Sequence, residues 1–498
     1  MKRLRSAIIL VSIFFSVFIS HLSSRNINSS DSKWSIPTAL SIIKEGNTDL
    51  DEYKEMLEKS NYYAIERIHG HYYTPYPIGV SIIAIPFVYA IEKSLDILSS
   101  TVQKLGKYYT KDREYSPPDS ISIVSIAPGI ELFIASFIVA VNTIFIYLIC
   151  HRFFERNYSL LISFIFAFCT SAWSTASRGL WQHGPSMLLL TITLYLILLS
   201  KNKPRLIQFT SIPLVFSYVV RPTNSISIFL LTVFVLIQYR HYFLRYFLWA
   251  MTVAIPFTLF NLSVYHSFLS PYYKLWRLLR LDPDFFGALA GNLISPSRGL
   301  FVFSAILVFS LYGIILKIKE RKFETLDCFL LSIILLHWVT ISSFPNWWGG
   351  HSFGPRYFSD MVPYFIYFLI PGVTGILTLK GAKRVVIVSL FLCCVLSSFL
   401  IHYRGATDWD VYVWNNQPVN IDENPARLWN WHDIQFLRGI KWYWHSTTLW
   451  FSRIAFENCQ GRDCLSLTSA LYQKVFFITI KNEIVEIISL ILESSYWI

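Results

Sequence analysis

The side chains best suited to chemistry lie in short segments that are rich in Gly, Pro and aromatic residues. Asp31 follows an N-terminal apolar run, and Glu131 lies near the start of a later one, behind a Pro-Gly pair. His183 and His351 stand in WQHGP and GGHSFGPR. Carboxylates and imidazoles supply acid–base groups. We treat all four as candidate site residues, with Glu131 either orienting an arginine or contacting a substrate.

Asp31 also has a plainer interpretation. It precedes a segment, residues 34–44, that the sequence predicts to be a helix, and aspartate is a preferred residue at a helix N-terminus. A capping role and a catalytic role are compatible, so both remain open at this point.

Four arginines occupy segments of the same kind. A guanidinium binds phosphate or carboxylate oxygens through paired hydrogen bonds. The sequence therefore predicts an anionic partner for this group, and lipid phosphate or loop carboxylates are the alternative partners for each arginine. The four are Arg178 in SRGLWQHGP, Arg221 in RPTN, Arg298 in SPSRGL and Arg356 in WWGGHSFGPRYFSD.

Long apolar runs must position these segments. Of the 498 residues, 54% are hydrophobic and only 15% are charged, whereas soluble domains carry about 25% charged residues. Runs of about 17–25 apolar residues can cross the ~30 Å hydrocarbon core of a membrane as helices. The predicted fold class is therefore an all-α polytopic membrane protein with about eleven spans. These cover residues 6–21, 121–149, 158–174, 185–200, 206–220, 224–240, 243–264, 299–316, 326–344, 361–379 and 384–402.

The distribution of Lys and Arg predicts the side of the membrane on which each connector lies. The N-terminus reads MKRLR, which places it in the cytoplasm. Alternate connectors are then cytoplasmic, and each is short and carries two or more basic residues, as the positive-inside rule requires. These connectors are residues 151–157, 201–205, 239–245, 317–322 and 379–384. The net charge of +12 lies in such clusters, which is not the pattern of a nucleic-acid groove.

The segment over residues 76–98 is apolar enough to span, but counting it would reverse the sidedness of every later connector. We therefore interpret it as a helix on the outer membrane surface, within a large external loop over about residues 23–120. Residues 1–402 then form the transmembrane domain, and residues 403–498 form an external C-terminal tail.

Several other kinds of site are not indicated. The sequence contains no phosphate-cradling Gly loop, no nucleophile elbow and no zinc signature. The seven cysteines show no metal-ligand spacing. Cys459 and Cys464 lie in the polar tail, where they would be able to form a small disulfide loop if the tail is outside the cytoplasm.

The order of the motifs resembles the GT-C superfamily of membrane glycosyltransferases, in particular bacterial enzymes related to protein O-mannosyltransferases and to the lipid A aminoarabinose transferase. The family's acidic segment resembles DSKWSIPTALSIIKEGN, and its Tyr-Pro-Pro-Gly surface helix resembles HGHYYTPYPIGVSIIAIP. Outer-loop segments of bacterial members are similar to SRGLWQHGP, RPTN, SPSRGLFVFS and WWGGHSFGPRYFSDMVP. The resemblance covers residues 1–440, roughly.

This resemblance implies a glycosyltransferase of the bacterial inner membrane whose donor is a sugar linked through phosphate to a polyprenol. Asp31 would be the general base, and a single displacement would invert the anomeric carbon. The acceptor would be a lipid, a glycan or a protein. The arginines would bind the leaving phosphate, with Arg356 expected first and then Arg298, Arg221 and Arg178. Further substrate contacts would come from His183, His351, Tyr73, Tyr76 and Glu131.

A divalent metal is the one cofactor that the resemblance suggests. The family often has Asp-Glu where this chain has Asp31-Ser32, so no residue is assigned as a metal ligand. Three other classes remain as alternatives to a single-sugar transferase. One is a transporter or flippase of lipid-linked sugars, which would need polar groups along a path through the membrane. The second is a non-catalytic membrane scaffold or receptor, which would not need acidic, Arg and Gly/Pro motifs on several separate loops. The third is a ligase that transfers a whole oligosaccharide.

Overall fold

Helices dominate the structure, a computed structural model that describes residues 2–28, 30–60, 63–109, 123–274 and 284–440. The predicted cysteine pair, Cys459 and Cys464, lies outside the described residues, as does much of the predicted tail. Residues Met1–Arg438 form one unit by their internal contacts.

The helices and strands follow in chain order. The first part contains α1 (Lys2–Leu22), α2 (Ser35–Lys44), α3 (Lys54–Ser60), β1 (Glu66–Ile68), β2 (His71–Tyr73) and α4 (Gly79–Tyr109). The middle contains α5 (Ala127–Cys150), α6 (Arg156–Phe168), α7 (His183–Ser200), α8 (Ser211–Val220), α9 (Ser225–Gln238) and α10 (Phe243–Tyr265). The last part contains α11 (Phe285–Ile294), α12 (Leu300–Phe303), α13 (Val308–Lys319), α14 (Thr325–Ser342), α15 (Val362–Thr378), α16 (Gly381–Thr407) and α17 (Asp410–Val413).

Six helical segments in the described residues are long and apolar enough to cross a membrane. They are Ala127–Cys150, His183–Ser200, Arg240–Tyr265, Thr325–Ser342, Arg356–Thr378 and Gly381–Thr407. Shorter apolar helices cover Ser6–Leu22, Arg156–Phe168, Pro222–Gln238 and Phe285–Ile294. The structure thus agrees with an all-α membrane protein, and the count of eleven spans stays a prediction.

Two predicted spans are interrupted rather than continuous. Residues 206–220 form a 3-10 turn, Pro204–Thr210, followed by the short helix α8. Residues 299–316 break at Ser304 between α12 and α13. The break is stabilised by α16, because the Ile306 N–H donates to Ser398 Oγ at 3.2 Å and Ser304 Oγ lies 2.8 Å from His402 Nε2. Side chains of a neighbouring helix can satisfy backbone groups that an interrupted helix frees.

Helix packing in the core depends on small residues. A Cβ atom added to Gly313 of α13 would lie 2.0 Å from the carbonyl oxygen of Phe368 in α15. A Cβ atom on Gly372 of α15 would lie 2.4 Å from the carbonyl oxygen of Phe309. Both distances are far below contact, so glycine lets these two backbones approach closely, as in many membrane helix pairs.

A β-hairpin within the predicted external loop was not anticipated by the sequence reasoning. Strands β1 and β2 pair antiparallel, with Glu66 opposite Tyr73 and Ile68 opposite His71. The two turn residues, His69 and Gly70, both have positive φ values, 51° and 96°, as a tight two-residue hairpin turn requires. The hairpin ends three residues before Tyr76 and so fixes the path of the chain into α4.

The polar segments gather at the two ends of the helical bundle, as the contacts of helix α7 show. Its first residue, His183, lines a cavity, and the residue after its last turn, Lys201, pairs with Glu324. Gln238, at the end of α9, bonds to Thr325 beside that pair, at 3.2 Å. With 18 residues, α7 separates the two ends by about 27 Å. Lys201 and its neighbours belong to connectors predicted to be cytoplasmic.

Candidate functional site

One end of the bundle contains a cavity of about 280 Å³. Every segment that lines it belongs to a connector or helix end that the charge pattern assigns to the outer side of the membrane. The lining residues are Asp31, Ser32, Ser35, Tyr76, Pro77, Val80, Leu180, Trp181, Gln182, His183, Arg221, Pro222, Thr223, Tyr272, Phe344, Pro345, Asn346, Arg356 and Tyr357. Tertiary folding therefore brings five of the predicted site residues together, namely Asp31, Tyr76, His183, Arg221 and Arg356.

Asp31 occupies a turn that precedes α2 and directs its carboxylate into the cavity. Its Oδ1 accepts a hydrogen bond from the Tyr63 hydroxyl at 2.7 Å, and its Oδ2 accepts one from Arg356 Nη1 at 3.3 Å. The side chain is 27% exposed. The N-cap position of α2 belongs to Trp34, with no side-chain cap, so the alternative capping role of Asp31 is not observed.

The surroundings of Asp31 keep it ionised. Partial burial raises the pKa of this carboxyl, but the Arg356 charge and hydrogen bonds from Tyr63 and Tyr76 lower it, and the net result is a pKa below the ordinary value. Burial and the nearby Asp31 charge raise the pKa of the Tyr76 hydroxyl far above its usual range. Tyr76 is therefore a neutral O–H donor, and Asp31 is a hydrogen-bond acceptor at neutral pH.

The Arg356 guanidinium packs against two aromatic rings. Its guanidinium carbon is 4.6 Å from the ring centroid of Trp181 and 5.2 Å from that of Tyr357, within the range of cation–π attraction. The buried Nε of Arg356 makes no hydrogen bond to a described residue. Gly349 fits against this side chain, since an added Cβ would lie 2.9 Å from Nε. The Gly-rich segment before Arg356 thus shapes its position.

Arg221 and His183 form a second basic group in the cavity. Arg221 follows α8 with an extended backbone, φ −153° and ψ 118°, as expected for a residue before proline. Its Nη1 lies 3.3 Å from His183 Nε2, and its Nε pairs with Asp360 at 2.6 Å. Arg221 also approaches the Tyr357 ring, at 5.8 Å from the centroid. The Tyr357 ring therefore contacts both cavity arginines.

Glu131 lies behind the cavity and connects two of its walls. It is fully buried, and its carboxylate accepts hydrogen bonds from Ser32 Oγ and, at 3.1 Å, from the Leu180 N–H. Ser32 follows Asp31, and Leu180 precedes Trp181. Glu131 therefore connects the turn that carries the cavity carboxylate to the aromatic wall.

Arg178 and Arg298 are not brought to the cavity. Arg178 donates to the carbonyl oxygens of Ser24 and Trp173, both at 3.1 Å, and to those of other residues at the end of α1. Arg298 donates to the Trp348 carbonyl at 2.8 Å and to side-chain oxygens of the segment after α16. Burial lowers the pKa of Arg178 to about 10 and that of Arg298 to about 9. The N–H groups of these two arginines therefore connect loops to one another and do not line the cavity.

Tyr73 and His351 also lie outside the cavity lining. The Tyr73 ring is 6.2 Å from the ring of Tyr265, and His351 Nε2 is 2.8 Å from Asn420 Oδ1. Tyr76, in contrast, lines the cavity and packs on Tyr272 at a centroid distance of 5.6 Å.

Among the residues that line the cavity, Asp31 is the single carboxylate. Mg²⁺ is commonly bound by one or two carboxylates together with substrate phosphates, so a divalent metal at this cavity stays a prediction. Within the described residues, the grouping with metal-ligand distances is Asp49, Asp51 and His71, which lies outside this lining. There Asp51 already accepts the Tyr72 N–H at 2.9 Å and contacts His71 Nδ1 at 2.6 Å.

Sequence reasoning missed four residues that complete the site: Trp181, Tyr272, Tyr357 and Asp360. Trp181 lies within SRGLWQHGP, and Tyr357 and Asp360 lie within WWGGHSFGPRYFSD, so membership of a motif was their signal. Tyr272 carried no comparable signal, because only the folded chain places it beside the cavity groups.

Comparisons of the chain with protein-family models, with curated proteins and with solved structures give no match. The site is therefore interpreted from its own geometry. That geometry combines one ionised carboxylate, two guanidinium groups and several aromatic faces in a single cavity at one end of a helical membrane bundle.

Proposed function

We propose that the chain is a membrane glycosyltransferase that binds a sugar linked through phosphate to a polyprenol and transfers the sugar on the non-cytoplasmic side. The supporting observation is the pairing of Asp31 with Arg356 in a cavity that also contains Arg221. The cavity thus joins a hydrogen-bond-accepting carboxylate, suited to a hydroxyl acceptor, to cationic groups suited to a phosphate.

The reaction requires one base and one anion-binding group. Asp31 accepts the proton of the acceptor hydroxyl as its oxygen attacks the anomeric carbon. The bond between that carbon and the phosphate oxygen breaks, and the lipid phosphate leaves with the electron pair. Arg356 and Arg221 stabilise the charge that develops on the leaving phosphate. A single displacement inverts the anomeric centre, and the proton on Asp31 returns to solvent.

The contact between Asp31 and Arg356 also links binding of the donor to the basicity of Asp31. Arg356 lowers the pKa of Asp31, and so makes it a weaker base. A donor phosphate offers Arg356 more oxygens and more charge than one carboxylate. Binding would draw Arg356 toward the phosphate and strengthen Asp31 as a base when the donor is in place.

The geometry favours transfer over transport. A transporter would need polar groups along a path through the bilayer. Between the cavity and the opposite end, α7 buries Leu190, Leu194 and Ile197. The hydroxyls of its buried Thr191 and Thr193 donate to carbonyl oxygens within the helix, at 2.7 and 2.8 Å, rather than facing a path. The small cavity volume also suits one sugar unit better than a whole oligosaccharide, since pockets for drug-sized ligands span about 300–1,000 Å³.

The test uses the full-length protein in lipid nanodiscs. It is incubated with a panel of polyprenyl-phosphate sugars, each labelled in the sugar, together with a membrane extract as the source of acceptor. Empty nanodiscs provide the background. Release of polyprenyl phosphate together with label in an acceptor would support the proposal. The protein is also reconstituted in liposomes. Movement of intact labelled donor across the liposome bilayer, with no label in any acceptor, would instead identify a flippase.

A further inference from the structure

A fully buried carboxylate, Asp360, lies directly behind the cavity. It belongs to the 3-10 turn that begins at Arg356, but it is not among the lining residues. Its Oδ2 lies 2.6 Å from Arg221 Nε, and its Oδ1 lies 3.7 Å from His183 Nδ1. Both of these partners line the cavity. Asp360 therefore acts on the cavity through two other side chains.

Because both side chains are buried, Asp360 and Arg221 each depend on the other to compensate their charge. A buried carboxylate is strongly unfavourable unless a cation or hydrogen-bond donors compensate for its lost hydration. Arg221 is only 6% exposed, so the cation needs the carboxylate equally. Loss of Asp360 would leave the Arg221 guanidinium as an uncompensated buried charge, which would be expected to turn toward water.

Asp360 constrains one edge of the Arg221 guanidinium. Arg221 Nε donates its hydrogen bond to Thr223 Oγ1 at 2.9 Å, and Asp360 Oδ2 lies 2.6 Å from the same nitrogen as an ion-pair partner without a hydrogen bond. Nη1 lies against His183. Nη2 makes no hydrogen bond to any residue that the structure describes, so both of its N–H groups are left for a ligand.

The same contacts assign the His183 tautomer. Arg221 Nη1 can only donate, so His183 Nε2 must be the acceptor of that contact. A neutral His183 then carries its proton on Nδ1, the nitrogen that faces Asp360. A carboxylate facing that N–H favours this tautomer, as in other carboxylate–histidine pairs. Asp360 thus orients both basic residues of this wall.

We propose that Asp360 is a positioning residue for the anion-binding wall of the cavity. Its buried charge attracts Arg221 at Nε and faces His183 at Nδ1, so that Arg221 presents Nη2 to the phosphate of the donor. This role rests on the proposed glycosyltransferase function for the identity of the anion, and it adds a residue outside the cavity on which anion binding depends.

The test measures binding of radiolabelled polyprenyl monophosphate to the full chain in phosphatidylcholine nanodiscs. Asp360→Asn and Arg221→Gln should each weaken binding about tenfold, the size of one charge-assisted hydrogen bond. Because Asp360 acts through Arg221, the double variant should bind no more weakly than Arg221→Gln alone. Asp360→Glu, which keeps the charge, should recover part of the affinity.

A matched control is available in the first turn of α14, at the other end of the helical bundle. Asp327 is also fully buried, pairs with Lys317 at 2.5 Å and accepts a hydrogen bond from the Tyr367 hydroxyl at 2.9 Å. Asp327→Asn removes a comparable buried charge and should leave binding at the wild-type level. Additive losses in the double variant, or equal losses in the control, would overturn the positioning role.

A second readout does not depend on the proposed function. If the wild-type protein binds no polyprenyl phosphate, the glycosyltransferase proposal fails, and an electron cryomicroscopy structure of Asp360→Asn still decides the positioning role. Arg221 and His183 should both change rotamer in that variant. If both side chains keep their places, Asp360 does not position them.

Discussion

Arg356 Nη1 donates a 3.3 Å hydrogen bond to Asp31 Oδ2 across a separation of 325 residues. This contact joins the segment between α1 and α2 to the Gly-rich segment before α15. Each partner has other contacts that hold it in place, the Tyr63 hydroxyl for Asp31 and the Trp181 ring for Arg356. The pair is thus the centre of the proposed site.

Asp31→Asn should lower the transfer rate by about 10²–10⁴-fold, the contribution of a positioned general base. The amide keeps the shape of the side chain, so the protein should still fold in membranes. Transfer is measured with the labelled donor that the panel identifies, alongside the melting temperature. Glu423→Gln, at an exposed carboxylate outside the cavity, is the control. Unchanged transfer in Asp31→Asn would remove Asp31 from the mechanism.

Arg356→Lys should lower kcat/KM by about 10–100-fold although the charge is kept. Lysine lacks the planar fork that binds two phosphate oxygens and that packs on the aromatic rings. Arg67→Lys is a matched control, because Arg67 also lies over an aromatic ring, that of Tyr72 at 5.8 Å, but in the hairpin outside the cavity lining. Equal losses in the two variants would show that general cation–π stabilisation, not phosphate binding, is being measured.

At low pH, the rate of transfer should fall because the Asp31 carboxylate becomes protonated. Its pKa in the folded protein is below the ordinary value of 3.8. The carboxylate, and the stability that it contributes, are therefore fully present above that ordinary value and are lost as the pH falls through the lowered pKa. In Arg356→Gln the cation that lowers the pKa is gone while burial remains, so the acidic limb should move to higher pH. A shift to lower pH, or none, would contradict the assignment.

Gly349→Ala should displace the Arg356 side chain and weaken binding of the donor in the cavity. Gly349 and Gly350 both have left-handed backbones, with φ of 76° and 61°, so alanine at either position should cost about 1–2 kcal/mol of stability. An added Cβ meets Arg356 Nε only at Gly349, and meets nothing within 4 Å at Gly350. Weaker donor binding is thus expected in Gly349→Ala alone. Equal binding in the two variants would show that this close contact is unimportant.

The sidedness of the chain can be tested with single cysteines in a background without native cysteines. Lys33→Cys and His351→Cys, at partly or fully exposed positions, should react in intact cells with a thiol reagent that does not cross membranes. Lys203→Cys should react only after permeabilisation, because its connector is predicted to be cytoplasmic. Labelling of Lys33→Cys and His351→Cys from opposite sides would refute the proposed site.

The amino-acid sequence by itself determined the segments that build the cavity. Apolar runs long enough to cross a bilayer predict helices whatever their partners, since a backbone in lipid must satisfy its own hydrogen bonds. Between those runs, the Gly- and Pro-rich segments around Asp31, Tyr76, His183, Arg221 and Arg356 stood out by composition. The structure places all five in one cavity.

Only the tertiary structure decided what each polar side chain does. Arg178 and Arg298 stand in segments much like those of Arg221 and Arg356, yet their donors bond to carbonyl and amide oxygens of distant loops. Asp360 ends the same motif as Arg356 but was not singled out as a site residue, and it pairs with Arg221 behind the cavity. A guanidinium or a carboxylate can be bound internally or left for a ligand, and the choice depends on which acceptors and donors distant segments bring within about 3 Å.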